Sequence, residues 1–127
     1  MTESERAELL KALADGWPKD SEWACLEYGP EGSLVFENKA GTGQCFFLYL
    51  RGNPLEDAQA TELMQLELER MGFAPGIMQR HDNRYHVVTG TSAEGWGVTR
   101  AEAVAKACAA VFDARRCSRP RKRRMKQ

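Results

Sequence analysis

Apolar residues recur at helical spacing in three stretches of the chain and form short alternating or continuous runs in six others. Leu9, Leu10, Leu13 and Ala14, with Trp17 at the end, make the first helical stripe; Thr2-Glu3-Ser4-Glu5 has the form of its cap and Gly16 of its stop. After a polar link over Pro18 to Ser21, Trp23 to Tyr28 alternates, with Ala24, Leu26 and Tyr28 on one side and Trp23, Cys25 and Glu27 on the other. Gly29-Pro30-Glu31-Gly32 predicts a turn, Leu34 to Glu37 a second strand, and Lys39 to Gly43 a loop. The third run, Gln44 to Leu50, is apolar on both faces, which predicts a central strand or one covered on both sides.

Asn53-Pro54-Leu55-Glu56 starts the second helix, and Gly72 ends it after Met71. Ala60, Met64, Leu68 and Met71 form its main stripe, while Leu55 and Leu66 lie on another side. A helix apolar on two sides is expected to be buried on two sides, so this one is expected to sit between the halves of the chain. Ile77 to His81 and Arg84 to Gly90 then flank the turn pair Asp82-Asn83, and a glycine-rich run with Trp96 predicts a strand ending at Val98. Thr99-Arg100-Ala101-Glu102 has the form of a capping box. The helix it opens carries Ala101, Val104, Ala105, Cys108, Val111 and Phe112 on one stripe, the cleanest amphipathic pattern present. The order is helix, three strands, helix, three strands, helix, an α+β fold with antiparallel pairing. One six-stranded sheet and two small ones both fit.

The 127 residues are the length of one domain. No apolar run is long enough to span a membrane, and Met1 to Glu8 lacks the apolar core of a signal sequence. The cytoplasm, of a bacterium or of an infected host cell, is the expected compartment. Cysteines 25, 45, 108 and 117 are too scattered for a zinc site, so neither metal nor cofactor is expected. Cys25, Cys45 and Cys108 read as buried thiols, and Cys117, between Arg116 and Arg119, as an exposed one. His81 and His86 flank the predicted turn without an adjacent nucleophile, so no catalysis is expected of them.

Charge changes the picture most. Residues 1–113, the expected domain, hold 18 acids against 10 Lys and Arg, a net −8. Residues 114–127 hold eight cations and no acid. This basic tail, Arg115, Arg116, Arg119, Arg121, Lys122, Arg123, Arg124 and Lys126, is a candidate surface for nucleic acid or an acidic partner. Glu3, Glu5, Glu8, Asp15, Asp20 and Glu22, with Glu27 and Glu31 beyond them, are candidates for a face that meets a cationic partner.

Tyr85-His86-Val87-Val88-Thr89-Gly90 and Gly95-Trp96-Gly97-Val98-Thr99-Arg100, followed by the alanine-rich helix to Phe112, carry two resemblances. Residues 54–112 resemble the double-stranded-RNA-binding domain in their helix, three strands, helix order and glycine-flanked entry to the last helix. That family holds phosphates with a basic cluster at the start of this helix; Arg100 matches its first position, whereas Ala101 and Val104 stand at the others. The same stretch is similar to small phage and prophage accessory proteins with a helix–sheet–helix sandwich. That resemblance implies a non-enzymatic protein that occupies a protein or ribonucleoprotein complex, in its sharpest form a host-defence inhibitor of the anti-CRISPR kind. An RNA- or DNA-binding module led by the tail is the alternative.

Overall fold

The computed structural model describes residues 1–29 and 32–117. The elements are α1 (Glu3–Gly16), β1 (Trp23–Tyr28), β2 (Ser33–Asn38), β3 (Cys45–Leu48), α2 (Pro54–Arg70), β4 (Gly76–Gln79), β5 (Tyr85–Val88), β6 (Glu94–Gly97) and α3 (Arg100–Cys117). This is the expected α+β order. The strands make two separate antiparallel sheets, β1-β2-β3 and β4-β5-β6.

Local chemistry sets most boundaries. Thr2 Oγ1 accepts from the Glu5 N–H at 3.1 Å, and Glu5 returns a bond to the Thr2 N–H at 2.7 Å, so α1 starts in a complete capping box. Asn53 Oδ1 accepts from the N–H of Leu55 and Glu56 at the start of α2. Gly72, at φ 92°, ends α2: its N–H donates to Glu69 O, and the Phe73 N–H donates to Leu68 O. At α3 only half of the expected box forms. Thr99 Oγ1 accepts from the Glu102 N–H, but the Glu102 carboxylate is taken by Lys106 Nζ at 2.8 Å. The i, i+4 ammonium outcompetes the Thr99 N–H for it.

The first sheet packs on α1 and α2, the second on α3, and α3 packs on both other helices. The helices therefore lie between the sheets. As expected, α2 touches both halves, β3 of the first and α3 of the second, while α3 contacts both other helices and the second sheet. Ala101, Ala103, Val104, Ala105, Ala107, Cys108, Val111 and Phe112 of α3 are all buried, an arc far wider than its predicted stripe. Small side chains make this possible. A Cβ on Gly95 of β6 would stand 2.1 Å from Ala103 O and 2.6 Å from Ala107 N, and one on Gly97 2.8 Å from Ala103 N. The strand thus lies directly on the helix backbone.

α2 has a single buried arc, Ala60, Leu63, Met64 and Leu68, which β3 and α3 together cover. Its second apolar side faces solvent: Leu55 is 88% and Leu66 64% exposed. β3 is an edge strand, and β2, with Leu34, Val35 and Phe36 buried, is the central one. Phe46 turns inward onto Trp23 at 5.4 Å, and Phe47 turns outward onto Tyr28 at 5.2 Å. Neighbouring rings, not a further layer, supply the cover that two-faced apolarity demands.

Asp57 fixes α2 to the first sheet. It is 2% exposed, and its Oδ1 and Oδ2 accept from the N–H groups of Tyr49 (2.8 Å) and Leu50 (3.1 Å), where the chain turns back through Leu50 at φ 56°. Burial raises the Asp57 carboxyl above the usual range, and the two N–H donors pull it partway back. At the other end of α2, buried Glu67 accepts from Ser21 Oγ at 2.9 Å and from Arg70 Nε at 2.9 Å, tying the link after α1 to the helix.

Candidate functional site

The helices cover one face of each sheet and leave the other open. In the first sheet the register places Ala24, Glu37 and Cys45 in one row and Leu26, Val35 and Phe47 in the next, with Tyr28 opposite Ser33 at the hairpin end. These rows face away from the helices. Leu26 is 47% and Tyr28 50% exposed, an apolar surface without a covering layer. The rings of Tyr28, Phe47 and Tyr49 run across it in sequence, Phe47 to Tyr49 at 6.0 Å, and the Arg51 guanidinium lies over Tyr49 at 4.5 Å. Apolarity on both sides of β1, an edge strand, is the sequence signal for this surface.

The second sheet's open face is polar and already engaged with itself. His86 stacks on Trp96 at 3.9 Å between centroids, although the two are ten residues apart in the chain. Arg80 Nη2 lies 2.7 Å from His86 Nδ1, and Glu94 Oε2 lies 3.3 Å from Nε2. A guanidinium has only donors, so Nδ1 must accept and Nε2 carries the hydrogen toward Glu94. Glu94 also accepts from Trp96 Nε1, and that bond first, then His86, holds its carboxyl below the usual range. Arg84, paired with Asp82, covers Trp96 at 4.9 Å. His86 meets a carboxylate here, yet it is buried under Trp96 with both ring nitrogens committed. Its neighbours supply no nucleophile.

A groove of about 600 Å³ separates α2, from Pro54 to Gln65, from the start of α3, with Leu55, Gln65, Tyr85, Val98 and Arg100 among its walls. Arg100 donates to Gln65 across it at 3.2 Å. Ala101 and Val104, at the positions where the RNA-binding resemblance would need cations, are buried.

The predicted acidic residues fall into separate local settings. Glu3 pairs with Arg6 at 2.9 Å, and Arg6 also donates to Gly32 O and Tyr49 O. Glu5 belongs to the cap, and Asp15 pairs with Lys11 at 3.4 Å. Asp20 pairs with Arg70 at 3.0 Å, which holds its carboxyl below the usual range. Glu8, Glu22 and Glu27 lie exposed. Arg115 and Arg116 belong to α3, which continues past the boundary expected at Asp113. Glu31, the Cys117 side chain, and Arg119, Arg121, Lys122, Arg123, Arg124 and Lys126 lie outside the described residues.

The thiols divide sharply. Cys45, expected to be buried, is exposed, because the β3 edge turns it to the open face. Burial pushes the Cys25 thiol up to about 12 and raises that of Cys108 as well. In a Cys117→Ser background a water-soluble disulfide reagent is therefore expected to label one thiol rapidly, Cys45, and the other two only as the protein opens. Peptide mapping of the quenched reaction checks this.

Among the described residues no helix is long and apolar enough to cross a membrane, and no group of three His, Cys, Asp or Glu is placed to hold a metal ion. No protein-family model, curated protein or solved structure matches this chain.

Proposed function

We propose that this is a non-enzymatic binding protein that acts by sterically occupying a macromolecular partner. The observation that carries the reading is the open face of the first sheet, where Leu26, Tyr28 and Phe47 stand on a hydrogen-bonded ladder and Tyr49, just past β3, stacks on Phe47. Aromatic side chains held rigidly in this way lose little entropy on contact, and such residues dominate the energetics of protein interfaces. The engagement of both His86 nitrogens supports a role in contact over one in bond-breaking. Inhibition of a host-defence complex is the sharpest form of the reading and rests on the resemblance to phage accessory proteins.

Immobilised full-length protein is expected to retain a discrete protein or ribonucleoprotein complex from a lysate of phage-infected bacteria. A Leu26→Asp, Tyr28→Asp variant, changed at two half-exposed positions, is expected to lose it while keeping its circular dichroism spectrum. Retention of bulk nucleic acid alone, abolished by ending the chain after Cys117 and by raised salt, would overturn this reading in favour of a nucleic-acid module led by the basic tail.

A further inference from the structure

β1 is an edge strand, and its backbone phase can be read from two bonds. Lys39 N–H donates to Glu22 O at 2.9 Å, which makes Glu22 and Lys39 a hydrogen-bonded pair. Along an antiparallel ladder such pairs recur every second residue, so Ala24, Leu26 and Tyr28 bond to β2. The N–H and C=O groups of Trp23, Cys25 and Glu27 then point away from the sheet. Trp17 confirms the phase, because its Nε1 reaches the Trp23 carbonyl from that side at 2.9 Å. The indole thus closes one end of the edge, and the main-chain groups of Cys25 and Glu27 are directed at the open remainder.

The charged side chains on β1 and β2 themselves are acidic, while Lys39 stands opposite Glu22 at the end that Trp17 closes. Glu22, Glu27 and Glu37 are exposed on the hairpin itself. Leu26 and Tyr28 supply apolar contacts on the outer side of the same strand.

Resting on the binding-protein reading, we infer that the partner contributes an extended basic segment, which adds to β1 as a fourth strand. Main-chain bonds to Cys25 and Glu27 hold it in register. On the outer face its side chains are aliphatic, joining Leu26 and Tyr28, and the alternate ones are Lys or Arg, facing Glu27. Charge decides against the other occupants. A second copy pairing β1 with β1 would set acids against acids, and a nucleic acid would bring phosphates to them.

The test uses full-length protein and a fluorescein-labelled peptide alternating Arg and Val, with one alternating Glu and Val as control. The Arg-Val peptide is expected to bind, to weaken with salt, and to shift the Cys25 and Glu27 amide resonances in a ¹⁵N-labelled sample. Glu27→Pro removes an outward N–H and no bond to β2, a substitution that edge strands accept. It is expected to weaken binding by about tenfold, a loss of the size that main-chain bonds supply, and Glu27→Gln by less. If the proline variant does not fold, Leu26→Lys replaces it, with loss of binding again expected. Equal affinity for the two peptides, equal affinity of wild type and Glu27→Pro, or shifts confined to α1 would overturn the inference. So would an edge that admits peptide only after residues 118–127 are removed, which would make the chain's own basic segment the occupant. A complex retained by Glu27→Pro but lost with Leu26→Asp, Tyr28→Asp would sink the added strand and leave the binding-protein reading standing.

Discussion

Gly95→Ala is expected to unfold most of the protein at ambient temperature or to lower its urea midpoint severely. The new Cβ would sit 2.1 Å from Ala103 O and 2.6 Å from Ala107 N, and neither atom can rotate away. Relief requires lifting β6 off α3, yet α3 is the one element that contacts both other helices and the second sheet. Overpacking a core usually costs about 1–3 kcal/mol and occasionally more. A clash with main chain, at the element on which both halves close, places this case at or above the top of that range. A small domain has only about 5–15 kcal/mol in total. Gly97→Ala, with contacts of 2.7 Å to Glu102 Cβ and 2.8 Å to Ala103 N, should follow the same course less severely. Urea titrations followed by circular dichroism check both, and an unchanged midpoint for Gly95→Ala would show that β6 does not lie on the helix backbone.

Asp57→Asn is expected to cost about 2–4 kcal/mol, on the scale of one buried donor left unsatisfied and one donor facing another. Each Asp57 oxygen accepts from a backbone N–H, whereas an amide offers one acceptor and turns its NH₂ group toward the second N–H. The pH dependence separates this from a packing defect. Burial raises the folded-state Asp57 pKa, so its titration contributes stability that is fully present below the unfolded value and lost as pH rises through the folded one. A protonated carboxyl still has an acceptor lone pair on each oxygen. The gap between wild type and Asp57→Asn should therefore widen as pH falls through the carboxylate range. A gap that closes on acidification would show that the ionised form is the one the fold prefers.

The helix starts and the second helix stop were legible because single residues encode them: Thr2 with Glu5, Asn53 with Pro54, and Gly72. The bounds of β1 were legible from its alternation between the Ser21 link and the Gly29 turn. Helical periodicity shows which residues share a side, but not what that side meets, and that is why Leu55 and Leu66, read as a second buried side of α2, turn out to face solvent. Ala103 and Ala107 lie off the obvious stripe of α3 and read as ordinary helix formers until Gly95 is seen against them. The Gly95-Trp96-Gly97 motif stood out in the sequence, but only the register of β6 gives its meaning. Asp57 does not stand out in the sequence, because its two partners lie at the left-handed turn through Leu50, for which the residue type gives no sign. The open face of the first sheet was missed because Gln44 to Leu50 is apolar on both sides. Such a run fits a sheet interior and an aromatic edge equally, and sheet order decides between them.

The position of α3 also bears on synthesis at the ribosome. Every described strand precedes it in the chain, so both sheets emerge before the helix that joins them. The first sheet can close on α1 and α2, but Val87 of the second must wait for α3, which is translated later. Contacts between α1 and α3 bridge nearly the whole described chain, and loops of that length close slowly. A nascent chain halted before Phe112 would present two adhesive half-molecules, and a chaperone that shields apolar strands would find its client in that interval.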